Sequence, residues 1–323
     1  MVPRKQMSMP VLEPDLQVSF YYRLQSIRQL YLHEALRDTV QNVTVKEIDQ
    51  ELAQHVGESA LRKTASFGLR GEVVFAVPCL LRANPYLLGY YRLLLGLSQK
   101  EFYSKGPFGS FKRMEESGEV SPTAGARLPA LSASLIGSAE ILVEKMNNLS
   151  LAAVHELQIL TLGPQLRGSE NTRLGQRATI EVYDLIKAIV RPSIKEATKR
   201  TIIIENASNR TVLIEFASDP DVRIVENLPT GVRPLVSIEV KGGTDFSNIH
   251  NRLGEAEKSH QKARNRGFFV FWTIVRVDVD PVMARRESPT TSHFFHLDRI
   301  AKAGSPEAKQ FRDQLCATVG IRG

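Results

Sequence analysis

The pattern of hydrophobic and polar positions changes near the middle of the chain. In the first half, apolar residues recur at helical spacing, and Thr44 with Glu47 matches the capping box that opens a helix. A loop rich in Gly, Ser and Pro, residues 104–129, contains a short predicted helix at 110–117. The main helices are predicted at 20–40, 45–56, 85–103 and 131–150. The first half is therefore predicted to be mainly helical.

The second half mixes helical and strand-like patterns. A long helix is predicted over 171–200, with a bend at Pro192, and a polar helix over 251–267. The turn sequence NASNR between the first two strands predicts a hairpin. The strands are predicted at 201–205, 211–216, 222–227, 234–240 and 268–275. This order indicates an α/β (α+β) domain at 171–323, with a mixed sheet flanked by helices, after a helical region at 1–170.

Composition and termini narrow the classes of protein. The net charge of +7 is compatible with a polyanionic partner. Cys79 and Cys316 lie in apolar surroundings, which indicates neither a disulfide framework nor a zinc site. The N-terminus shows no signal-peptide pattern, and the longest apolar run, 73–81, is too short to cross a bilayer. These features predict an intracellular protein. The sequence contains no GKS or GKT phosphate loop, which argues against an ATP-driven enzyme.

Candidate chemistry begins in the strand-like sequence VSIEVKGG, residues 236–243. Because side chains alternate across a strand, Val236, Ile238 and Val240 share one face, and Glu239 and Lys241 share the other. The two following glycines allow the backbone to approach another molecule closely, such as DNA. The alternative is an exposed Glu–Lys pair on a solvated strand face.

A second acidic group precedes the neighbouring strand, where Asp219 and Asp221 flank a proline. Asp221 lies 18 residues before Glu239, so pairing of the two strands places both carboxylates within reach of one divalent cation. Carboxylate oxygens suit Mg²⁺, which offsets charge on a phosphate and makes water more acidic. A lysine beside them can orient or deprotonate the attacking water. Together these parts predict metal-assisted hydrolysis of a phosphodiester.

The Pro-Asp pair, the Glu-Val-Lys triplet and the preceding long helix resemble the PD-(D/E)XK nuclease superfamily over residues 175–276. Within it, the chain is similar to the XcyI/XmaI group of Type II restriction endonucleases, which cuts CCCGGG. The resemblance implies a restriction-endonuclease-like fold and a Mg²⁺-dependent, site-specific deoxyribonuclease of the prokaryotic cytoplasm. It makes Asp221 and Glu239 the metal ligands and Lys241 the catalytic lysine.

The same resemblance implies an additional acidic residue on a helix. Glu181, on the helix before the first core strand, occupies one such position, with a solvated helix glutamate as the alternative. Enzymes of the CCGG-cutting type use instead an acid on the helix after the lysine, where this chain has Glu255. Those enzymes also carry an Arg-acid-Arg cluster where this chain has TDFSN, 244–248, so their mode of base reading is not expected here.

DNA contacts are predicted from donor and acceptor chemistry. On the polar helix, Lys258, Lys262 and Arg266 repeat every four residues, which predicts a phosphate-binding stripe or an ordinary solvated face. The segment after the lysine is dense in side chains that read base edges, although the same residue types also serve as turn and cap residues. Its candidates are Asp245, Ser247, Asn248, His250, Asn251 and Arg252, and loop candidates for phosphate contacts are Lys105, Lys112 and Arg113.

The sequence thus predicts a restriction enzyme for double-stranded DNA. Cleavage of both strands of a palindrome favours a homodimer with two-fold symmetry, with dimer or DNA contacts from the helical first half. A gene for a cognate DNA methyltransferase is expected nearby, because the host's own DNA needs protection. The alternatives are a repair or junction-resolving nuclease with the same core, or a DNA-binding protein without catalytic activity.

Overall fold

The computed structural model describes residues 14–245 and 248–322. The described chain separates into two compact units, one extending to Gly168 and the other beginning at Ser169. Each unit has a hydrophobic core of its own. Across the described part, none of the helices combines the length and apolar character required to cross a membrane.

The first unit is helical throughout its described residues. Two short 3-10 helices, Gly71–Val73 and Gly106–Phe111, interrupt the α-helices. The α-helices are α1 (Asp15–Tyr31), α2 (His33–Asn42), α3 (Val45–His55), α4 (Glu58–Ser66), α5 (Pro78–Ala83), α6 (Leu87–Leu94), α7 (Gln99–Ser104), α8 (Lys112–Ser117), α9 (Pro122–Ala126), α10 (Leu128–Lys145) and the first part of α11 (Leu151–Val190). The predicted helical character of this half is confirmed.

Two of the predicted helices are broken in the structure. The single helix expected over 20–40 is interrupted at Leu32, whose extended backbone separates α1 from α2. The helix expected over 85–103 stops at Leu94, and α7 begins after Ser98. In both cases the apolar pattern continues through the break. The pattern alone therefore did not show where one helix ends and the next begins.

The capping boxes differ from the expected one. Thr44 does precede α3, but its side chain makes no capping hydrogen bond. The full reciprocal box lies at α7, where Ser98 Oγ accepts from the Glu101 N–H at 3.2 Å and Glu101 Oε2 accepts from the Ser98 N–H at 2.9 Å. These bonds satisfy two of the backbone donors that a helix start leaves free.

A buried ion pair lies in the core of the first unit. Arg92 on α6 and Glu115 on α8 have side chains that are 0% and 1% exposed. The guanidinium donates to both carboxylate oxygens, at 2.8 and 2.7 Å, and a further nitrogen donates to the carbonyl of Leu97. Gln99 and Tyr103 also donate to Glu115. These bonds leave both charges well satisfied in an environment without water.

The second unit is built on one sheet. It begins with the second part of α11, followed by a 3-10 helix at Arg191–Ser193. The remaining elements are β1 (Ile194–Ala197), β2 (Thr201–Glu205), β3 (Thr211–Phe216), β4 (Val222–Leu228), β5 (Gly231–Lys241), α12 (Ile249–Asn265), β6 (Phe271–Val275), α13 (Pro281–Glu287), β7 (His293–His296), α14 (Leu297–Ala301) and α15 (Pro306–Val319). The five predicted strands are confirmed as β2 to β6, and the predicted polar helix as α12.

The long helix differs from the expected one at both ends. It begins at Leu151 rather than near 171 and ends at Val190, so the expected bend at Pro192 is wrong. Proline lacks the N–H that helical continuation requires, and here the chain leaves the helix before it and enters β1. β1 and β7 were not expected, because neither has a clear apolar alternation.

The seven strands follow one another in chain order across the sheet. β1 to β5 are antiparallel, whereas β5, β6 and β7 are parallel and connected through α12 and α13. One face of the sheet packs against α11 and α15, as shown by contacts among Val182, Ile238 and Phe311 in a single core. The other face of β5 packs against α12. This mixed sheet between helices confirms the predicted α/β class and is a restriction-endonuclease-like arrangement.

Candidate active site

The strand β5 carries the two charges from which the site was predicted. Val236, Ile238 and Val240 belong to the core shared with α11 and α15, as the alternation requires. Glu239 and Lys241 point to the opposite side, but that side is not open to water. Glu239 is 4% exposed and the Lys241 side chain 17%. The pair is therefore a buried polar group, which must find its partners within the protein.

Asp221 lies directly before β4, beside the end of β5. Its Oδ2 accepts from the backbone N–H of Val240 at 2.8 Å, and Val222 next to it pairs with Ile238. Burial and the nearby charge of Glu239 raise the pKa of Asp221 to about 6. The pairing of β4 with β5 thus brings the two predicted metal ligands together.

Lys241 is held against Glu239. Its Nζ donates to Glu239 Oε2 at 3.0 Å. Burial alone would lower the pKa of Lys241, but the charge of Glu239, supported by Asp221 and Glu255, more than offsets this and raises it. The lysine is therefore an ammonium group, positioned to donate hydrogen bonds and stabilise negative charge.

Two groups for which the sequence predicted no role complete the surroundings of Glu239 and Lys241. Ser259 on α12 places its Oγ 2.5 Å from Glu239 Oε1 and 2.9 Å from Asp219 Oδ1. Asp219 also accepts from Lys262 at 3.2 Å, and Arg266 donates to its backbone carbonyl at 2.9 Å. Asp219 could be identified in the sequence because it lies directly before Pro220. Ser259 could not, because a serine inside a polar helix has no distinguishing sequence pattern.

Of the two glycines after Lys241, Gly242 is the one that packing within the protein requires, since the group facing Gly243 is the end of a flexible side chain. A Cβ on Gly242 would lie 2.0 Å from the Cβ of Ala178 on α11. A Cβ on Gly243 would lie 2.3 Å from the guanidinium of Arg252. The small size of Gly242 therefore serves the passage of the chain beside α11, and the approach of DNA at the two glycines stays a prediction.

Gly242→Ala is expected to destabilise the second unit by about 1–3 kcal/mol, because the new methyl group overlaps Ala178. Urea unfolding followed by the fluorescence of Trp272, the single tryptophan of the chain, measures the loss. Ala178→Gly in the same chain should relieve part of it. Gly254→Ala on α12 is the control, since a Cβ there meets nothing within 4 Å. Equal effects of Gly242→Ala and Gly254→Ala would contradict the packing role.

His260 belongs to a buried hydrogen-bond network beneath the site. It is 0% exposed, and its Nε2 lies 2.9 Å from the hydroxyl of Thr273, which in turn lies 2.9 Å from that of Thr291. Ser288 continues the chain to Glu257 on α12. Burial lowers the pKa of His260 to about 4 from its ordinary value of 6.5. The network fixes α12 against β6.

The lowered pKa predicts a loss of stability in mild acid. Above pH 6.5 His260 is neutral in both the folded and the unfolded chain; as the pH falls towards 4, only the unfolded chain takes up the proton. Between about pH 7 and pH 5 this costs the folded protein about 2 kcal/mol. The urea midpoint of His260→Gln should therefore depend less on pH than that of wild type. His250→Gln, at an exposed position on the same helix, should follow the wild-type curve.

The two helix glutamates have different surroundings. Glu181 on α11 forms ion pairs with Arg276 and, at 3.2 Å, with Arg177. Glu255 on α12 is exposed, and its charge contributes to the raised pKa of Lys241. The structure thus places Glu255 within electrostatic reach of the lysine, whereas Glu181 is engaged by cations of its own.

The segment predicted to read bases surrounds the start of α12. Asp245 is exposed, Asn251 donates to Asn248 at 2.7 Å, and His250 lies 3.3 Å from Glu287. Arg252 is half-buried against Gly243, and its buried Nη1 has no hydrogen-bond partner among the described residues. Ser247 lies outside the described residues.

The predicted phosphate contacts are exposed, but several are already paired. Lys262 and Arg266 contact Asp219, whereas Lys258 is exposed on the same helix. In the first unit, Lys112 forms an ion pair with Glu116 at 2.9 Å, and Lys105 and Arg113 are exposed.

Comparison with known proteins decides the family. The model of the XcyI restriction endonuclease family matches residues 21–322. The chain is 43% identical to the Type II restriction enzyme XcyI of Xanthomonas campestris pv. cyanopsidis over 95% of each chain. It is 41% identical to the Type II restriction enzyme Cfr9I of Citrobacter freundii over 96% of each chain. The chain belongs to the XcyI restriction endonuclease family.

The enzyme is therefore a sequence-specific Type II restriction endonuclease, and its substrate is DNA. Family membership also implies the use of a divalent metal ion. The donor atoms at Asp221 and Glu239 fit such an ion, because both are carboxylate oxygens and their charges lie close enough to raise the pKa of Asp221. A divalent cation between them would relieve this repulsion.

Another group of potential metal ligands lies in the first unit. Glu47, Glu51 and Cys79 place one ligand atom each within 4.8 Å of the others. The central carboxylate already has structural partners, since Glu51 accepts from the Cys79 N–H at 2.6 Å and from Arg82 at 3.1 Å. Burial raises the pKa of the Cys79 thiol to about 12, so the thiolate that binds metals is disfavoured. The cluster is therefore explained by packing at the start of α5.

Proposed function

We propose that the enzyme cleaves DNA at the ends of β4 and β5, with Asp221 and Glu239 as ligands of Mg²⁺ and Lys241 as the catalytic lysine, in the manner of the PD-(D/E)XK nucleases. The observation that carries the proposal is the convergence of these three side chains, which come from two strands and share one buried environment. When bound, Mg²⁺ supplies positive charge at the scissile phosphate and makes water more acidic.

Lys241 contributes the positive charge of the site. Its ammonium group is bonded to Glu239 and, at 17% side-chain exposure, still reaches the solvent side. From that position it donates to a phosphate oxygen and to the attacking water, and so stabilises the negative charge that develops during hydrolysis. Of the two helix glutamates, Glu255 is the better supported assistant, because it acts on Lys241. A role for Glu181 would require release from Arg276.

DNA binding is proposed to involve the start and the outer face of α12. The candidates for base contacts are Arg252, whose buried Nη1 has no partner within the described part of the chain, and Asp245, Ser247, Asn248, His250 and Asn251. Lys258, Lys262 and Arg266 are proposed to bind phosphates, as are Lys105, Lys112 and Arg113 in the first unit. Because Lys262 and Arg266 pair with Asp219, DNA phosphates must compete with that carboxylate.

The biological unit is proposed to be a homodimer acting in the prokaryotic cytoplasm. Each chain has one proposed site, and a palindromic target requires two cuts related by two-fold symmetry. A cognate DNA methyltransferase encoded nearby would protect the host DNA. The helical region 1–170 is proposed to supply dimer contacts, DNA contacts or both.

Digestion of plasmid DNA tests the proposal. With Mg²⁺ the protein should give discrete fragments, and with EDTA none. Sequencing of the fragment ends gives the target and the stagger, and CCCGGG, implied by the resemblance to the XcyI/XmaI group, is the first sequence to compare. Asp221→Asn and Glu239→Gln should abolish cleavage. Full activity of either variant would show that the site lies elsewhere.

A further inference from the structure

A single hydroxyl group lies between two carboxylates at the site. Ser259, 9% exposed on α12, has its Oγ 2.5 Å from Glu239 Oε1 and 2.9 Å from Asp219 Oδ1. A serine hydroxyl carries one proton, so it donates to only one of these oxygens at a time. The shorter distance identifies Glu239 as the preferred acceptor.

The two acceptors do not depend on Ser259 equally. The Asp219 carboxylate also accepts from Lys262 and forms an ion pair with Arg266 at 3.9 Å, so its charge is compensated without the serine. Glu239 is 4% exposed, and among the described residues Ser259 alone donates to its Oε1. Its other oxygen, Oε2, accepts from Lys241 at 3.0 Å. Ser259 on α12 thus holds Oε1 of the carboxylate, and Lys241 on β5 holds Oε2.

We infer that Ser259 is a positioning residue for Glu239. By holding Oε1 it fixes the rotation of the carboxylate, and so directs Oε2 towards Lys241 and the cation. The inference rests on the proposed role of Glu239 as a metal ligand. Hydrogen bonds that orient metal-binding carboxylates typically change metal affinity or activity by about 10–100-fold when removed.

Ser259→Ala is therefore expected to weaken binding of Mn²⁺ by about 10–100-fold and to raise the metal concentration for half-maximal cleavage similarly. Binding is measured on the full-length protein from the electron paramagnetic resonance of free Mn²⁺, which does not depend on cleavage. Ser259→Thr keeps a hydroxyl and should recover much of the affinity. Ser259→Cys, similar in volume but a weaker donor, should resemble Ser259→Ala and replaces it if that variant fails to fold.

Ser288→Ala is the matched control. Ser288 is fully buried. Its hydroxyl donates at 3.1 Å to Glu257, which lies on α12 like Ser259 but outside the proposed site. Its replacement should lower the thermal midpoint but change Mn²⁺ affinity by less than about twofold. An affinity of Ser259→Ala within twofold of wild type, or an equal loss in Ser288→Ala, would overturn the inference.

Glu239→Gln separates this inference from the proposed function. If it binds Mn²⁺ and cleaves DNA as wild type does, the proposed metal site is wrong. If it loses both while Ser259→Ala loses neither, the metal site stands and only the role of Ser259 is wrong.

Discussion

Lys241→Ala is expected to slow DNA cleavage by about 10²–10⁴-fold, the range for loss of one donor or proton-transfer group at a reacting centre. The ammonium group of Lys241 donates to Glu239 Oε2, and alanine at this position leaves that oxygen without its donor. The measurement is the single-turnover rate on a short duplex containing the target sequence. Binding of the labelled duplex, followed by fluorescence anisotropy, should change far less than the rate.

Lys258→Ala is the control for this comparison, because Lys258 is an exposed lysine on α12. As a phosphate contact it should weaken DNA binding, more strongly at low salt, and leave the rate for bound DNA almost unchanged. The reverse result, with Lys241→Ala cleaving within tenfold of wild type, would exclude Lys241 from the chemistry.

The largest effect on stability is expected in the first unit. Arg92→Ala or Glu115→Ala should each lower the free energy of unfolding by about 3–5 kcal/mol, because each leaves one buried charge without its partner. Loss of Glu115 also removes the acceptor of Gln99 and Tyr103. Thermal or urea unfolding followed by far-ultraviolet circular dichroism measures the change.

Two further variants separate the buried charge from other effects. Glu116→Ala removes an exposed ion pair with Lys112 on the same helix, α8, and should cost no more than about 1 kcal/mol. Replacing both buried charges, as Arg92→Met with Glu115→Leu, should recover part of the loss, since neither charge remains buried alone. A cost below about 1 kcal/mol for the single variants would show that the pair is not dehydrated in solution.

Much of the fold could be predicted where local patterns are strong. β2 and β3 have the predicted bounds, because each is a short run rich in β-branched residues beside a clear turn. The helix break at Leu32 could not be predicted in this way. Leu32 is fully buried in a cluster with Leu93 and Leu162, so the break depends on contacts distant in sequence. β1 and β7 are stabilised by pairing with a neighbouring strand rather than by their own pattern.

The same limit applies to the site. Asp221, Glu239 and Lys241 could be selected because strand alternation and the Pro-Asp pair place them where the start of one strand meets the end of its neighbour. Ser259 could not, because its importance arises only when α12 lies across β5. The need for Gly242 follows from the closeness of Ala178, which no local pattern contains.

The strand order of the sheet has a consequence for synthesis of the protein. Because β1 to β7 lie side by side in the order in which the ribosome produces them, each strand can pair with the one already present, without waiting for a distant segment. The pairing of β4 with β5, which brings Asp221 beside Glu239 and Lys241, therefore requires no strand that follows Lys241 in the chain. The helix α12 follows in the chain and can pack onto a strand pair that already carries both proposed metal ligands.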